Sequence, residues 1–217
     1  MNDFYLRWLS LWQRIGGKGC PDYTFARLYA HYAECFRKYH NCRHIIYCND
    51  RLDEIRSILQ DLDKKYNRVV SSEDVIRLAL YYHDVCYDPK RSDNEERSAV
   101  LMREEMSFSR VSNLLVEGSV ECILHSNHVK IPTNPVVWYM LDIDLSPLAK
   151  PWEEFLIDTK NIREEYRDAV PSDDDFNRGR ANILRRFYER KRLFLSDYFY
   201  EKCQMQAKAN LDRALHE

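Results

Sequence analysis

Apolar residues recur every three or four positions through most of the chain, which is the period of an amphipathic α-helix. The clearest series of this kind is formed by Cys48, Leu52, Ile55, Leu59 and Leu62. We therefore predict one amphipathic helix over this segment. Asn41 is its predicted N-cap, because a short amide side chain can accept a hydrogen bond from the free backbone N–H groups of a first helical turn.

A second helix is predicted to begin at Ser71 or Ser72, to carry Asp74 in its first turn and to continue to His83, which then lies on the apolar face. The segment 88–94, DPKRSDN, has no apolar residue and one proline, so it is predicted to be a loop. Further helices are expected near 3–15, 24–39, 94–106, 109–127, 134–142, 152–168 and 174–215, the last one bent or divided.

Composition supports a helical protein. The 217 residues include only 5 glycines and 7 prolines, which leaves little turn chemistry for the many hairpins of an all-β fold. The segment PSDDD at 171–175 is the best candidate for a break between domains, but the helix after it is too amphipathic to be stable alone. We expect a single all-α domain over residues 1–217, with a long C-terminal helix packed back on a helical bundle.

Charge and cysteine usage restrict the partners and the compartment. A formal net charge of −2 gives no global attraction to nucleic acid or to an anionic membrane. The seven cysteines are scattered without CxxC spacing, which is typical of thiols in a reducing compartment. No apolar run is long enough to span a membrane and the first residues do not resemble a secretory signal, so a cytoplasmic location is expected.

Four residues suggest a metal site: His44, the adjacent pair His83 and Asp84, and Asp144. Two imidazoles and two carboxylates suit a divalent cation such as Mn²⁺, Fe²⁺, Co²⁺, Zn²⁺ or Mg²⁺. Neighbouring helical positions differ by about 100° around the axis, so the adjacent pair can reach one ion only if the end of its helix faces that ion. Asp142 competes with Asp144, since two residues apart on a helix they cannot point the same way.

These residues resemble the HD superfamily of metal-dependent phosphohydrolases, which are all-helical and share the order H…HD…D. The resemblance is closer to a bacterial subgroup of predicted HD phosphohydrolases with five ordered segments. In this chain the segments read YHNCRHI (39–45), HDVCYDP (83–89), NEERSA (94–99), DIDLSPLA (142–149) and ANL (209–211). The match covers about 30–215, with a metal-site core at about 30–150 and C-terminal helices at about 152–215; Ala149 stands where the subgroup tends to have glycine.

The resemblance implies that His44, His83, Asp84 and Asp144 are the metal ligands, with Asp144 matching the family's last aspartate. It also implies that Glu95 is the general base. Glu96 is a further pocket candidate, although acidic residues at a helix start are also explained by the helix dipole.

Three more histidines are candidates for the pocket. His40, four residues before His44, could be a second ligand if both were on one helix, but an N-cap at Asn41 makes it a pocket or support residue. His128 resembles a histidine of the subgroup's motif and is expected to touch phosphate or a second metal. His125 is a weaker candidate for the same role.

Basic residues are concentrated in RGRANILRRFYERKR at 178–192. The run invites a nucleic-acid interpretation, but the interleaved apolar residues explain it more simply as an amphipathic helix with a solvated basic face. Arg180 lies in a family-like Gly-Arg pair and is the candidate phosphate clamp of this run, since a guanidinium can bind phosphate through two hydrogen bonds. Arg43 and Lys130 are further candidates for substrate binding.

The expected function is that of a metal-dependent phosphohydrolase that acts on a nucleotide or another small phosphate ester through a metal-activated water. The alternative is a non-catalytic nucleotide- or protein-binding module on an HD scaffold. A nucleic-acid-binding protein that uses 178–192 is the least favoured interpretation. No membrane partner is expected, and the sequence makes no prediction of the oligomeric state.

Overall fold

The computed structural model describes residues 2–216, and all of the regular structure in that range is helical, as predicted. The eleven α-helices, numbered α1 to α11, are Asn2–Arg14, Pro21–Tyr32, Cys42–Glu54, Arg56–Lys65, Ser72–Tyr82, Asn94–Phe108, Asn113–His125, Pro135–Leu145, Trp152–Glu165, Asp173–Glu189 and Asp197–His216. A 3₁₀ turn, Ser146–Ala149, follows α8. No helix in residues 2–216 combines the length and the apolarity needed to cross a membrane.

Helix α5 lies at the centre of the bundle. Every one of its residues except Glu73 is buried, and it packs against α1, α3, α4, α6, α7 and α8. A helix that is buried on nearly all sides belongs in a core. Polar groups of α5 find partners within that core: the Tyr81 hydroxyl donates to the carbonyl of Phe4 at 3.1 Å, and the Tyr81 carbonyl accepts from the Tyr32 hydroxyl at 3.0 Å.

Side-chain caps begin two helices that lead to the candidate site. The Asn41 amide oxygen accepts from the backbone N–H of Arg43 at 2.9 Å, which confirms the predicted N-cap of α3. Ser71 caps α5 in the same way, with its hydroxyl accepting from the backbone N–H of Asp74. These caps satisfy backbone donors that have no partner within the helix.

Three predicted helices have different bounds in the structure. The predicted helix 24–39 is α2, which begins at Pro21 and ends at Tyr32; in the segment that follows, the backbone N–H groups of Lys38 to His40 donate to the Glu165 carboxylate. The predicted helix 109–127 begins only at Asn113, after Arg110 in the left-handed region at φ 54°. The single helix predicted through the Cys48 to Leu62 series divides at Ile55 into α3 and α4.

The C-terminal segment is divided, as the sequence suggested, and its second helix packs back on the bundle. Helices α10 and α11 are separated by residues 190–196, where the Asp142 carboxylate accepts from the backbone N–H groups of Leu195 and Ser196, both at 2.7 Å. Helix α11 packs against the 3₁₀ turn, and its Asn210 amide donates to the Leu148 carbonyl at 2.8 Å. The C-terminal helix is thus tied to the chain segment that carries Asp144.

Candidate metal centre

Four side chains that are distant in the sequence converge on one point. His44 comes from α3, His83 and Asp84 follow the end of α5, and Asp144 comes from α8. The Nε2 atom of His44 lies 3.3 Å from Nε2 of His83, 3.1 Å from Oδ1 of Asp144 and 3.8 Å from Oδ2 of Asp84. The Nε2 atom of His83 lies 3.0 Å from Oδ2 of Asp84 and 3.4 Å from Oδ1 of Asp144.

The adjacent histidine and aspartate can share this point because the helix stops there. Helix α5 ends at Tyr82, so His83 and Asp84 extend from its terminus, which is the geometry that the sequence required of them. The buried Arg37 guanidinium fixes the turn that follows, since it donates to the backbone carbonyls of Asp84 at 2.6 Å and Val85 at 2.9 Å. The position of the Asp84 carboxylate is therefore set by its own backbone and by Arg37.

The His83 ring is held in the tautomer that a metal ligand needs. Its Nδ1 lies 3.1 Å from the Leu80 carbonyl oxygen, which can only accept a hydrogen bond. Nδ1 therefore carries the proton, and the lone pair of Nε2 points into the cluster. Metal-binding histidines are commonly oriented by such a hydrogen bond on the second ring nitrogen.

The spacing of the four donor atoms suits one metal ion. Bonds of about 2.0–2.2 Å from an ion to nitrogen and oxygen place neighbouring ligand atoms about 2.8–3.6 Å apart in octahedral or tetrahedral geometry. The separations in the structure run from 3.0 to 3.8 Å, and the longest, between His44 and Asp84, lies slightly above this range. A cation between these atoms would be bound by both imidazole Nε2 atoms, which lie 3.3 Å apart. The residues present therefore fit a divalent metal.

The electrostatics of the cluster favour positive charge at its centre. Burial alone would lower the pKa of His83, but the carboxylates of Asp84 and Asp144 outweigh burial and raise that pKa well above its usual value. Burial alone would raise the pKa of Asp84, and the imidazoles around it, that of His83 above all, lower it instead. The same competition lowers the pKa of Asp144. Each group is thus stabilised by an opposite charge, and a bound cation supplies that charge to both carboxylates at once.

The two aspartates of α8 point to different places. Asp144 faces the cluster, whereas the Asp142 carboxylate accepts from the backbone N–H groups of Leu195 and Ser196 and from the Ser196 hydroxyl at 2.6 Å. Burial raises the pKa of Asp142 to about 6. Asp142 therefore connects α8 to the segment before α11, and Asp144 is the aspartate in reach of the other three side chains.

His128 touches the cluster through Asp144. Its Nε2 lies 2.9 Å from Oδ2 of Asp144, the oxygen that does not face His44. The backbone of His128 is left-handed at φ 54°, and its carbonyl accepts a hydrogen bond from Arg190. Its Nδ1 is buried without a hydrogen-bond partner. His125, by contrast, bonds through Nδ1 to the Glu121 carbonyl of its own helix and does not join the cluster.

His40 lies next to the cluster but does not belong to it. It precedes α3, so it does not share a helix with His44, and the two ring centroids are 6.1 Å apart. Its Nδ1 lies 2.7 Å from Oε2 of the buried Glu165. Burial alone would lower the pKa of His40, but the carboxylates of Asp84 and Glu165 raise it. His40 is thus oriented by Glu165 at the edge of the site.

The two glutamates in the first turn of α6 differ in exposure. Glu95 is half-buried, and burial, together with the negative charge of Asp84, raises the pKa of its carboxyl. Glu96 is exposed. A half-buried carboxylate near a metal ligand is a suitable proton acceptor, whereas an exposed one at a helix start is explained by the helix dipole. Arg43 and Lys130, predicted to bind substrate, are exposed side chains outside the four-residue cluster.

Cys48 and Glu165 are neighbours of the site that the sequence did not predict. The Cys48 thiol lies 3.7 Å from Nε2 of His44 and could form a ligand group with His44 and Asp144. Its spacing of four residues from His44 on a helix was a usable signal, but Cys48 also fits the apolar series. Glu165 had no such signal, because it is the last residue of α9 and lies far from His40 in the sequence.

No protein-family model, curated protein or solved structure matches this chain. The resemblance to HD phosphohydrolases therefore stays a prediction. What the structure shows is an all-helical chain in which His44, His83, Asp84 and Asp144 lie close enough to hold a metal ion.

Proposed function

We propose that this protein is a metal-dependent phosphohydrolase of the HD type that acts on a nucleotide or another small phosphate ester. The observation that carries the proposal is the convergence of two imidazoles and two carboxylates from α3, α5 and α8 at ligand-to-ligand distances. The five sequence segments that resemble the HD subgroup support it, since three of them contain these four residues.

His44, His83, Asp84 and Asp144 would hold the ion, and His128 would hold Asp144 through its second carboxylate oxygen. A divalent ion in this position lowers the pKa of water and neutralises charge on phosphoryl oxygens. The protein's own contribution is positioning, because Leu80 fixes the His83 tautomer and Arg37 fixes the backbone of Asp84. Positioning and charge neutralisation are the main requirements of phosphoryl transfer.

Glu95 would accept the proton of the attacking water. Its half-buried carboxyl lies near Asp84, and its raised pKa makes it a stronger base than an exposed glutamate. Because a general base must be ionised, the rate should fall as the pH drops through this raised pKa. The Glu95→Gln variant should lose that acidic limb of the pH profile.

The test is a hydrolysis screen of the manganese-loaded protein against nucleoside mono-, di- and triphosphates and cyclic nucleotides, with metal content measured in parallel. Asp84→Ala removes a charged ligand, so metal content and turnover should fall together. Glu95→Gln leaves the ligands in place, so metal should stay while turnover falls by roughly 10²–10⁴, the usual worth of a positioned general base. Glu96→Gln, one residue further and exposed, is the matched control and should keep full activity.

One outcome would contradict the proposed function, and another would contradict only the role of Glu95. A protein that binds nucleotides and metal but hydrolyses none of the substrates would be a binding module on the same scaffold. A Glu95→Gln variant with full activity would leave the hydrolase in place and remove Glu95 from the mechanism.

A further inference from the structure

Arg180 is a cation without a partner. It lies on α10, is not exposed, and its Nε is buried without a hydrogen-bond partner. Among residues 2–216, every other arginine that is not exposed makes a hydrogen bond or an ion pair through its guanidinium. Arg77, for example, binds Asn49, Asp53 and Glu73. A poorly solvated guanidinium without an acceptor is costly to the folded state, unless an anion binds it.

The surroundings of Arg180 do not supply that anion. Burial lowers its pKa, and the groups that act against burial are Tyr39, Tyr166 and Tyr87, before the carboxylate of Asp158. Asp158 already forms an ion pair with Lys150 at 2.7 Å. The Tyr87 hydroxyl is buried without a geometrically complete hydrogen bond, and its neighbour is Tyr166, another phenol. A guanidinium without an acceptor and a phenol beside it can donate to the same phosphate.

The surroundings of Arg180 adjoin the candidate metal centre. The ring centroids of Tyr39 and His44 lie 5.2 Å apart, and Tyr39 interacts electrostatically with both Asp144 and Arg180. The Tyr87 ring stacks on His40, with centroids 4.2 Å apart. Tyr39 and Tyr87 therefore form a wall shared by the four-residue cluster and the surroundings of Arg180.

Charge balance points to the substrate as the missing partner. Asp84 and Asp144 offset the charge of a divalent ion, so they leave the positive charge of Arg180 without a counterpart. A guanidinium binds phosphate through two parallel hydrogen bonds. One anion at the metal and another at Arg180 would thus complete the pocket.

We propose that Arg180, with the Tyr87 hydroxyl, forms a second anion subsite beside the metal centre, which binds a phosphate group other than the one that is hydrolysed. The substrate class is accordingly a phosphate ester or anhydride with at least two phosphate groups, such as a nucleoside diphosphate or triphosphate. This inference rests on the proposed function for the role of the metal centre, but the anion subsite itself can be tested without metal.

The first experiment measures binding of inorganic phosphate to the chelator-treated protein by calorimetry and thermal denaturation. Phosphate should bind and stabilise the wild type, and Arg180→Met should weaken binding roughly ten- to hundredfold, the worth of hydrogen bonds to a charged group. Arg178→Met is the matched control, because Arg178 is an exposed neighbour paired with Asp175. In the absence of phosphate, Arg180→Met should be at least as stable as the wild type, since it removes an unpaired charge.

The second experiment compares phosphate with methylenediphosphonate, whose P–C–P bridge resists hydrolysis, on the manganese-loaded protein freed of excess metal. The two-phosphate ligand should bind at least about tenfold more tightly to the wild type, and Arg180→Met should abolish that difference while Arg178→Met keeps it. Equal affinity of the wild type for both ligands would overturn the substrate class. Phosphate binding by the chelated protein that is unaffected in Arg180→Met would overturn the subsite. Loss of hydrolysis or metal binding alone would refute only the proposed function.

Discussion

At the scale of single residues, Glu165 has the widest influence on the surroundings of the site. One carboxylate oxygen accepts from the backbone N–H groups of Lys38, Tyr39 and His40 at 2.7–2.8 Å, and the other lies 2.7 Å from Nδ1 of His40. Burial alone would raise the pKa of Glu165, but the hydrogen bonds from His40 and from the backbone lower it. The ionised carboxylate therefore holds the loop before α3 and the wall of the pocket.

Glu165→Gln should lower the free energy of unfolding by about 1–3 kcal/mol at neutral pH, because an amide cannot accept all four hydrogen bonds. The pKa of Glu165 is lower in the folded protein than the unfolded value of about 4.3. The carboxylate thus stabilises the fold fully above that unfolded value, and this contribution is lost as the pH falls through the folded pKa. Urea unfolding of both proteins at several pH values should show that the difference in their free energies of unfolding becomes smaller in acid.

The control for this prediction is Glu164→Gln. Glu164 is the preceding residue, is exposed and forms a surface ion pair with Arg167. Surface pairs contribute little, so the change should be below about 1 kcal/mol. Equal destabilisation by the two substitutions would mean that Glu165 does not organise the loop.

At the scale of helices, the period of apolar residues predicted most elements, but not where all of them end. The break at Ile55 has no proline or glycine to mark it; Ile55 is fully buried, and both α3 and α4 pack against α5. The end of α2 at Tyr32 likewise has no proline or glycine directly after it, and the loop that follows binds Glu165, which lies far along the chain. Local propensity marks neither of these ends.

Two helical glycines should respond in opposite ways to alanine. A Cβ at Gly118 of α7 would lie 3.3 Å from the Cγ1 of Val75, a buried β-branched residue with little freedom to move. A Cβ at Gly179 of α10 would meet nothing within 4 Å. Gly179→Ala should therefore stabilise the protein by about 0.5–1 kcal/mol through helix propensity.

Gly118→Ala should instead destabilise the protein, by roughly 1 kcal/mol or more, because the cost of overpacking exceeds that gain. The approach of α7 to α5 is fixed by the Ser119 hydroxyl, which donates to the Val75 carbonyl at 2.9 Å. Chemical denaturation of the two variants side by side measures both effects. Stabilisation by both substitutions would show that α5 and α7 can separate without cost.

At the scale of the whole molecule, the sequence predicted the four side chains of the candidate site better than the residues that hold the backbone around them. The order of the histidines and aspartates, read through the HD resemblance, picked out the four side chains that converge. Arg37 and Glu165, which hold the backbone around them, were not found, because a buried arginine or glutamate looks like any surface charge in a sequence. Hydrogen bonds between distant segments become visible only when the chain is folded.

The two aspartates of α8 allow the link between metal and global stability to be tested. A ligand that binds only the folded state stabilises it by mass action, about 2.7 kcal/mol at a hundredfold excess over Kd. For a domain of this size that corresponds to roughly 5–10 °C in melting temperature. Adding manganese or zinc to the chelator-treated wild type should give such an increase. Asp144→Asn, which loses a charged ligand of similar size, should largely abolish it.

Asp142→Asn is the matched control, since Asp142 lies two residues earlier on the same helix but binds the backbone before α11. It should melt at a lower temperature than the wild type without metal, because an amide accepts fewer of the hydrogen bonds from Leu195 and Ser196. The increase in its melting temperature on adding metal should nevertheless match that of the wild type. The two variants would then separate the loss of a fold contact from the loss of a metal ligand. If metal raised the melting temperature of Asp144→Asn as much as that of the wild type, the ion would bind without Asp144.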